Sequence, residues 1–268
     1  MAKTNYRTIT LDRAKQAVKV YNEGVTGCVK NPYVDEQAID MFLDGLGLTK
    51  GKIERQVEFI GDKYEGAGPK VFVGAPVSSL AERIADSICA MRTEYERAVV
   101  SAPPILLGIV SREAVELLYR PFILEKNWHV WFTKFCFWLN QSSFPMEDSR
   151  VDEFFLITDG KGSADKYLKF ANLFRNFVLS HQGWVPELRK VDDGSDSQPC
   201  SENKLWDKMC YGIADLEKSR RAVDKPTAHG TILSKSEEKY ASYSNNAARQ
   251  EKRKQEQNTG QKSRNWKC

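Results

Sequence analysis

The residues with the clearest chemistry lie at one end of the chain. Positions 235–268 hold Lys235, Lys239, Arg249, Lys252, Arg253, Lys254, Lys262, Arg264 and Lys267 against Glu237, Glu238, Glu251 and Glu256. Nine positive charges less four negative leave +5 in this segment, whereas the full 268-residue chain, with 40 Lys+Arg and 36 Asp+Glu, carries only +4. The other 234 residues therefore have 31 basic and 32 acidic groups, a net of −1. A basic arm on a nearly neutral body suits a phosphate backbone, because each Lys or Arg replaces a condensed counterion and releases it. Roughly five to eight such contacts would lower affinity several hundredfold or more between low and physiological salt.

Aromatic rings interleave with that charge. Tyr240, Tyr243 and Trp266 offer faces on which unpaired bases stack without sequence preference. Trp266, between Arg264 and Lys267, also reads as an anchor through which the tail docks a protein partner. A solubilising tail, or one that meets an anionic membrane surface or an acidic protein, is the competing account of the same composition.

Elsewhere the chemistry is sparse. The six cysteines (Cys28, Cys89, Cys136, Cys200, Cys210 and Cys268) form no C-x-x-C pair, and the three histidines (His129, His181 and His229) are far apart. Neither pattern has metal-ligand spacing, so no metal and no cofactor are expected. The N-terminus lacks a secretory signal pattern, and free thiols in a reducing, cytoplasmic compartment follow from that reading. Residues 41–57 resemble a helix-turn-helix, with Lys50, Lys52, Arg55 and Gln56 on the second helix, but Gly51 sits badly in a recognition helix. The glycine-rich stretch 65–70 lacks the ending of a phosphate-binding loop. Asp159, Lys161, Ser163 and Asp165 alternate like a calcium loop, yet Phe170 stands where its closing glutamate belongs. No pair of carboxylates can be nominated for acid–base work from spacing alone.

The elements that must carry these residues are helical. Thr10 caps a first helix through Leu11, Ala14, Val18 and Tyr21, a second carries Ala38, Ile39, Phe42 and Leu43, and a third starts near Thr49. The longest stripe runs through Leu80, Ile84, Ile88, Met91 and Tyr95 up to the break at Pro103-Pro104. Segments 111–120 and 126–140 follow. The second of these, with Trp128, Trp131, Phe132, Phe135 and Trp138, is apolar nearly all round and belongs at the centre of the core. Ser163 caps a helix from Ala164 to about His181, stopped by Gly183 with Pro186 beyond. Lys166, Lys169 and Arg175 fall toward the polar side of that helix, where the body would extend a nucleic-acid groove. Lys70-Val71-Phe72-Val73, between Gly68 and Gly74, is the only good strand candidate.

The expected fold is mostly α: a compact multi-helix body, in one or two lobes, with an exposed basic C-terminal tail. Its parts are a helical core domain (1–190), an acidic linker (191–200), a small helical extension (201–234) and a basic, partly disordered tail (235–268). The functional expectation is a non-enzymatic protein that coats or packages single-stranded DNA or RNA, nucleocapsid-like, as self-associating copies along the strand. The contacts would come from Arg249, Lys252, Arg253, Lys254, Lys262, Arg264, Lys267, Tyr240 and Tyr243, with Lys166, Lys169 and Arg175 on the body. An adaptor or loader whose tail docks a partner is the first alternative, and an enzyme with a dispersed active site the second. No apolar run approaches the roughly 20 residues that span a bilayer.

Overall fold

Small polar side chains set where many of the helices begin. The hydroxyls of Thr10, Thr49, Ser111 and Ser163 accept hydrogen bonds from the backbone N–H groups of Arg13, Lys52, Ala114 and Lys166, and the Asp148 carboxylate accepts from Arg150 and Val151. The computed structural model describes residues 6–23, 31–43, 45–64, 77–123, 128–158, 162–192 and 200–223. Within them lie α1 (Leu11–Glu23), α2 (Asn31–Phe42), α3 (Lys50–Phe59), α4 (Val77–Ala90), α5 (Arg92–Ser101) and α6 (Arg112–Tyr119). Then come α7 (His129–Leu139), α8 (Ser149–Phe154), α9 (Ala164–His181), α10 (Val185–Val191) and α11 (Glu202–Val223). No strand occurs among the described residues, so the fold is all-α there; the strand expected at 70–73 lies outside them.

The centre is α7. Every residue from Trp131 to Leu139 is buried, including the polar Thr133 and Lys134, which is the outcome expected of a helix apolar on all sides. Phe135 meets Phe42 of α2, Tyr95 of α5 and Phe122, with ring centroids 5.9, 6.4 and 5.7 Å apart. On the other side Phe132 packs edge-on against Tyr167 of α9 at 5.2 Å. Beyond α3 the chain widens into a π-helical turn, Ile60–Tyr64. There Gly61 lies so close to Trp131 that a Cβ would sit 2.7 Å from its ring, so α7 can approach only because that position has no side chain.

Three elements differ from the sequence reading. The long stripe from Leu80 to Tyr95 is two helices, because at Met91 the N–H bonds to Ile88 three residues back and the ladder restarts with Tyr95 on Met91. Pro186 does not merely follow the end of α9. It opens α10, where its missing N–H is tolerated at the helix start. The short helical piece near Leu205 is the longest helix among the described residues, α11, and it adds Leu205, Trp206, Met209, Cys210 and Ile213 to the same core as the rest. The described residues up to Arg220 belong to one compact unit.

Candidate functional site

Two groups of buried ionisable side chains are the chemically distinctive places in the body. The first joins α7, α8 and α9. Glu147, wholly buried just before α8, takes His129 Nε2 on one carboxylate oxygen at 2.9 Å and Lys166 Nζ on the other at 3.0 Å. Lys166 reaches on to Asp152 Oδ2 at 2.6 Å. Thr133 Oγ1 of α7 donates to the Glu147 carbonyl at 2.9 Å, which fixes the segment that presents the carboxylate. His129 Nδ1 and Asp152 Oδ1 have no hydrogen-bond partner.

The two carboxyls of this group are driven apart. Burial alone would raise Glu147, but the hydrogen bond and charge of His129, with those of Lys166, outweigh it and hold it below the ordinary range. Asp152 is pushed up to about 7, first by burial and then by the negative charge of Glu147, against the pull of Lys166. Lys166 is itself raised: burial lowers it, and its bonds to the two carboxylates more than compensate. The arrangement can therefore hold a proton near neutral pH. Spacing gave no hint of it, since Glu147 and Asp152 meet Lys166 only through the turn between α8 and α9.

The second group lies under α11. Lys204 Nζ, almost wholly buried, bonds Asp35 of α2 at 3.1 Å, Asp207 at 2.9 Å and the Tyr21 phenol of α1 at 3.0 Å, while Tyr21 donates to Asp35 at 2.7 Å. One turn on, Lys208 bonds Asp192, whose carboxylate also accepts from Asn22 Nδ2 and Cys200 Sγ at 3.0 Å each. Burial would raise Asp192, but these donors and the Lys208 charge keep it below the usual carboxylate range. Arg150 pairs with Asp215 at 2.7 Å and lies over the Tyr211 ring.

The residues expected to contact nucleic acid divide sharply. Arg249, Lys252, Arg253, Lys254, Lys262, Arg264, Lys267, Tyr240, Tyr243 and Trp266 lie outside the described residues. On α9, Lys169 is exposed, and Arg175 is half-buried and donates to the Leu106 carbonyl at 3.3 Å. Lys166 does not stand on the outer face with them. Its side chain is only 10% exposed, drawn inward by the two carboxylates. On the would-be recognition helix α3, Arg55 is exposed and three other polar side chains have partners within the chain. Lys50 pairs with Asp86 at 2.6 Å, Lys52 holds the Gly45 carbonyl at 2.8 Å and Gln56 donates to the Met41 carbonyl.

Cys136 is buried with its sulfur 3.8 Å from the Tyr95 hydroxyl, and burial pushes its thiol up to about 12. That environment opposes thiolate formation. Among the described residues no group of three or more His, Cys, Asp or Glu is placed to hold a metal ion. No helix of the described residues is long and apolar enough to cross a membrane. Compared with known protein families, with curated proteins and with solved structures, the chain matches none.

Proposed function

We propose that this protein binds single-stranded DNA or RNA without catalysing a reaction, and that the basic arm at 235–268 is its principal contact. The observation that carries the reading is the partition of charge, +5 in the arm against −1 in the remainder. The fate of the body's cations supports it: Lys166, Lys204, Lys208 and Arg150 are each neutralised by a buried or half-buried carboxylate. Cations held this way are not available to a polyanion, and the excess of positive charge lies in the arm. Tyr240, Tyr243 and Trp266 would add base stacking, and Lys169 and Arg175 remain the candidate contacts on the body. Coating by several copies along one strand fits a mechanism that reads backbone rather than sequence. The unpaired thiols of Cys89, Cys136, Cys200 and Cys210 fit a reducing compartment.

The test is filter binding of the full chain to a labelled single-stranded oligonucleotide, with the Arg249, Lys252, Arg253 and Lys254→Gln variant beside it. Wild type should lose roughly several hundredfold or more in affinity between about 50 and 200 mM salt, and the variant should bind weakly with a shallower salt slope. Equal, salt-insensitive binding by both would remove the arm from the mechanism. Undiminished nucleic-acid binding together with loss of a protein partner on Trp266→Ala would favour the adaptor.

A further inference from the structure

The group at α7, α8 and α9 has one ammonium for two carboxylates. Glu147, Asp152 and Lys166 by themselves sum to one negative charge, in a site where Glu147 is fully buried and His129 Nε2 faces its carboxylate. Unscreened charge of that kind is costly, and one proton removes it. The groups facing it from each neighbouring element leave Asp152 as the natural place for that proton. From α7, His129 is committed to Glu147 through Nε2, and its ring packs on Tyr119 of α6 and Tyr167 of α9. Tyr167 donates to the Pro145 carbonyl, and Asp165 is taken by Arg112 of α6. On α8 itself, Asp148 caps the helix and Arg150 turns to Asp215 of α11. Asp152 takes Lys166 on one oxygen and lies within hydrogen-bonding reach of the Glu147 carboxyl, a contact between two acids that a proton makes favourable.

The backbone of Asp152 also takes part in the C-cap of α8, which runs to Phe154. The N–H of Ile157 bonds back to the Asp152 carbonyl at 3.0 Å, and between them Leu156 stands at φ 53°. This is a six-to-one helix C-cap with its left-handed residue, a position that glycine usually fills. A leucine there is strained by about 1–2 kcal/mol relative to ordinary backbone. The residue that holds Lys166 with its side chain thus closes a strained turn with its backbone.

We infer that Glu147, Lys166 and Asp152 form a one-proton latch, which fastens α8 and the Leu156 turn to α9 when the proton is held and frees that corner when it leaves. The direction follows from linkage. Asp152, raised to about 7 in the fold, binds its proton more tightly there than in the unfolded chain. Its contribution is therefore complete below the ordinary carboxylate range and is lost as pH rises through 7.

Two measurements on the full-length protein test this. Wild-type unfolding in urea at pH 6 and pH 8 should show an unfolding constant that grows about tenfold more over this interval than in Asp152→Asn. The carbon-13 carboxyl resonance of Asp152 in the wild type should titrate near neutrality. Over the same interval the Ile157 amide should lose protection from hydrogen exchange, after correction for intrinsic rates. Identical pH profiles for the two proteins, an Asp152 carboxyl that titrates below pH 5, or unchanged Ile157 protection would each overturn the latch. The carboxyl and amide readings need no variant, so a variant that fails to fold does not spare the idea.

Discussion

The two buried ionic groups are built from the same residue types and behave differently. Under α11, Asp35 receives both Tyr21 and Lys204, and Asp192 receives Asn22, Cys200 and Lys208. The side chains of Lys204 and Lys208 are 3% and 2% exposed, and the first lies about 5–6 Å from the rings of Tyr21, Phe137 and Trp138. Between α8 and α9, Asp152 has a single donor and retains 15% of its surface. A carboxylate supplied with several donors and sealed from water acts as a fixed strut, because breaking it strands a charge in low dielectric. One with a single shared donor, a second carboxylate nearby and a path to solvent is a proton site. Asp207, which shares Lys204 with Asp35, has that lysine as its one donor and is likewise raised by burial, so sealing, more than donor count, separates structure from response here.

The sharpest way to break the comparison is Lys204→Met. The new side chain fits the same ring-lined space, but Asp35 and Asp207 are left facing each other without their cation. A loss of about 3–5 kcal/mol is expected, measured by urea unfolding at pH 7. A loss below about 1 kcal/mol would mean that the α11 group is as adaptable as the α9 group and that the contrast is false.

Next in size is Gly212→Ala. At this crossing of α11 over α1, a Cβ would lie 2.1 Å from the Ala17 carbonyl oxygen. That oxygen is backbone and cannot swing aside, so the helices must separate, one turn from Tyr21 and its bond to Asp35. A cost of about 2–3 kcal/mol is expected in the same unfolding assay. Near-neutral behaviour would show that α1 and α11 can part without disturbing the sealed group.

The two groups also differ in how far the sequence revealed them. Helix caps at Thr10, Thr49 and Ser163 were legible because capping is local chemistry. The burial of α7 was legible because no face of Trp131–Leu139 offers a polar stripe. The ionic groups were not, because periodicity assigns a lysine to solvent unless a partner justifies burying it. The partners of Lys166 lie 14 and 19 residues upstream, and Asp35 is far from Lys204 in the chain. One signal of the α11 group does lie in the sequence. From Asn203 to Cys210 the sequence alternates Asn, Lys, Leu, Trp, Asp, Lys, Met and Cys, and every one of these residues is buried. Short polar runs between large apolar residues leave no outer face, so the charges must be met internally. The tail's charge, by contrast, needed only counting.

Leu156→Gly has the smallest expected effect and sharpens the comparison from the other side. Glycine adopts the left-handed conformation freely, which relieves about 1–2 kcal/mol of strain at φ 53°. Against that, the unfolded chain gains freedom worth about 0.5–1 kcal/mol. Leu156 is 54% exposed, so little burial is forfeited. The balance favours the variant by about 0.5 kcal/mol, seen as a higher urea midpoint with an unchanged slope. The Ile157 amide should then be better protected at pH 8, where the latch is open, because its bond to the Asp152 carbonyl no longer works against a strained leucine. A destabilised variant would mean that Leu156 makes contacts worth more than its strain, and the corner after α8 would then be a rigid element like those under α11.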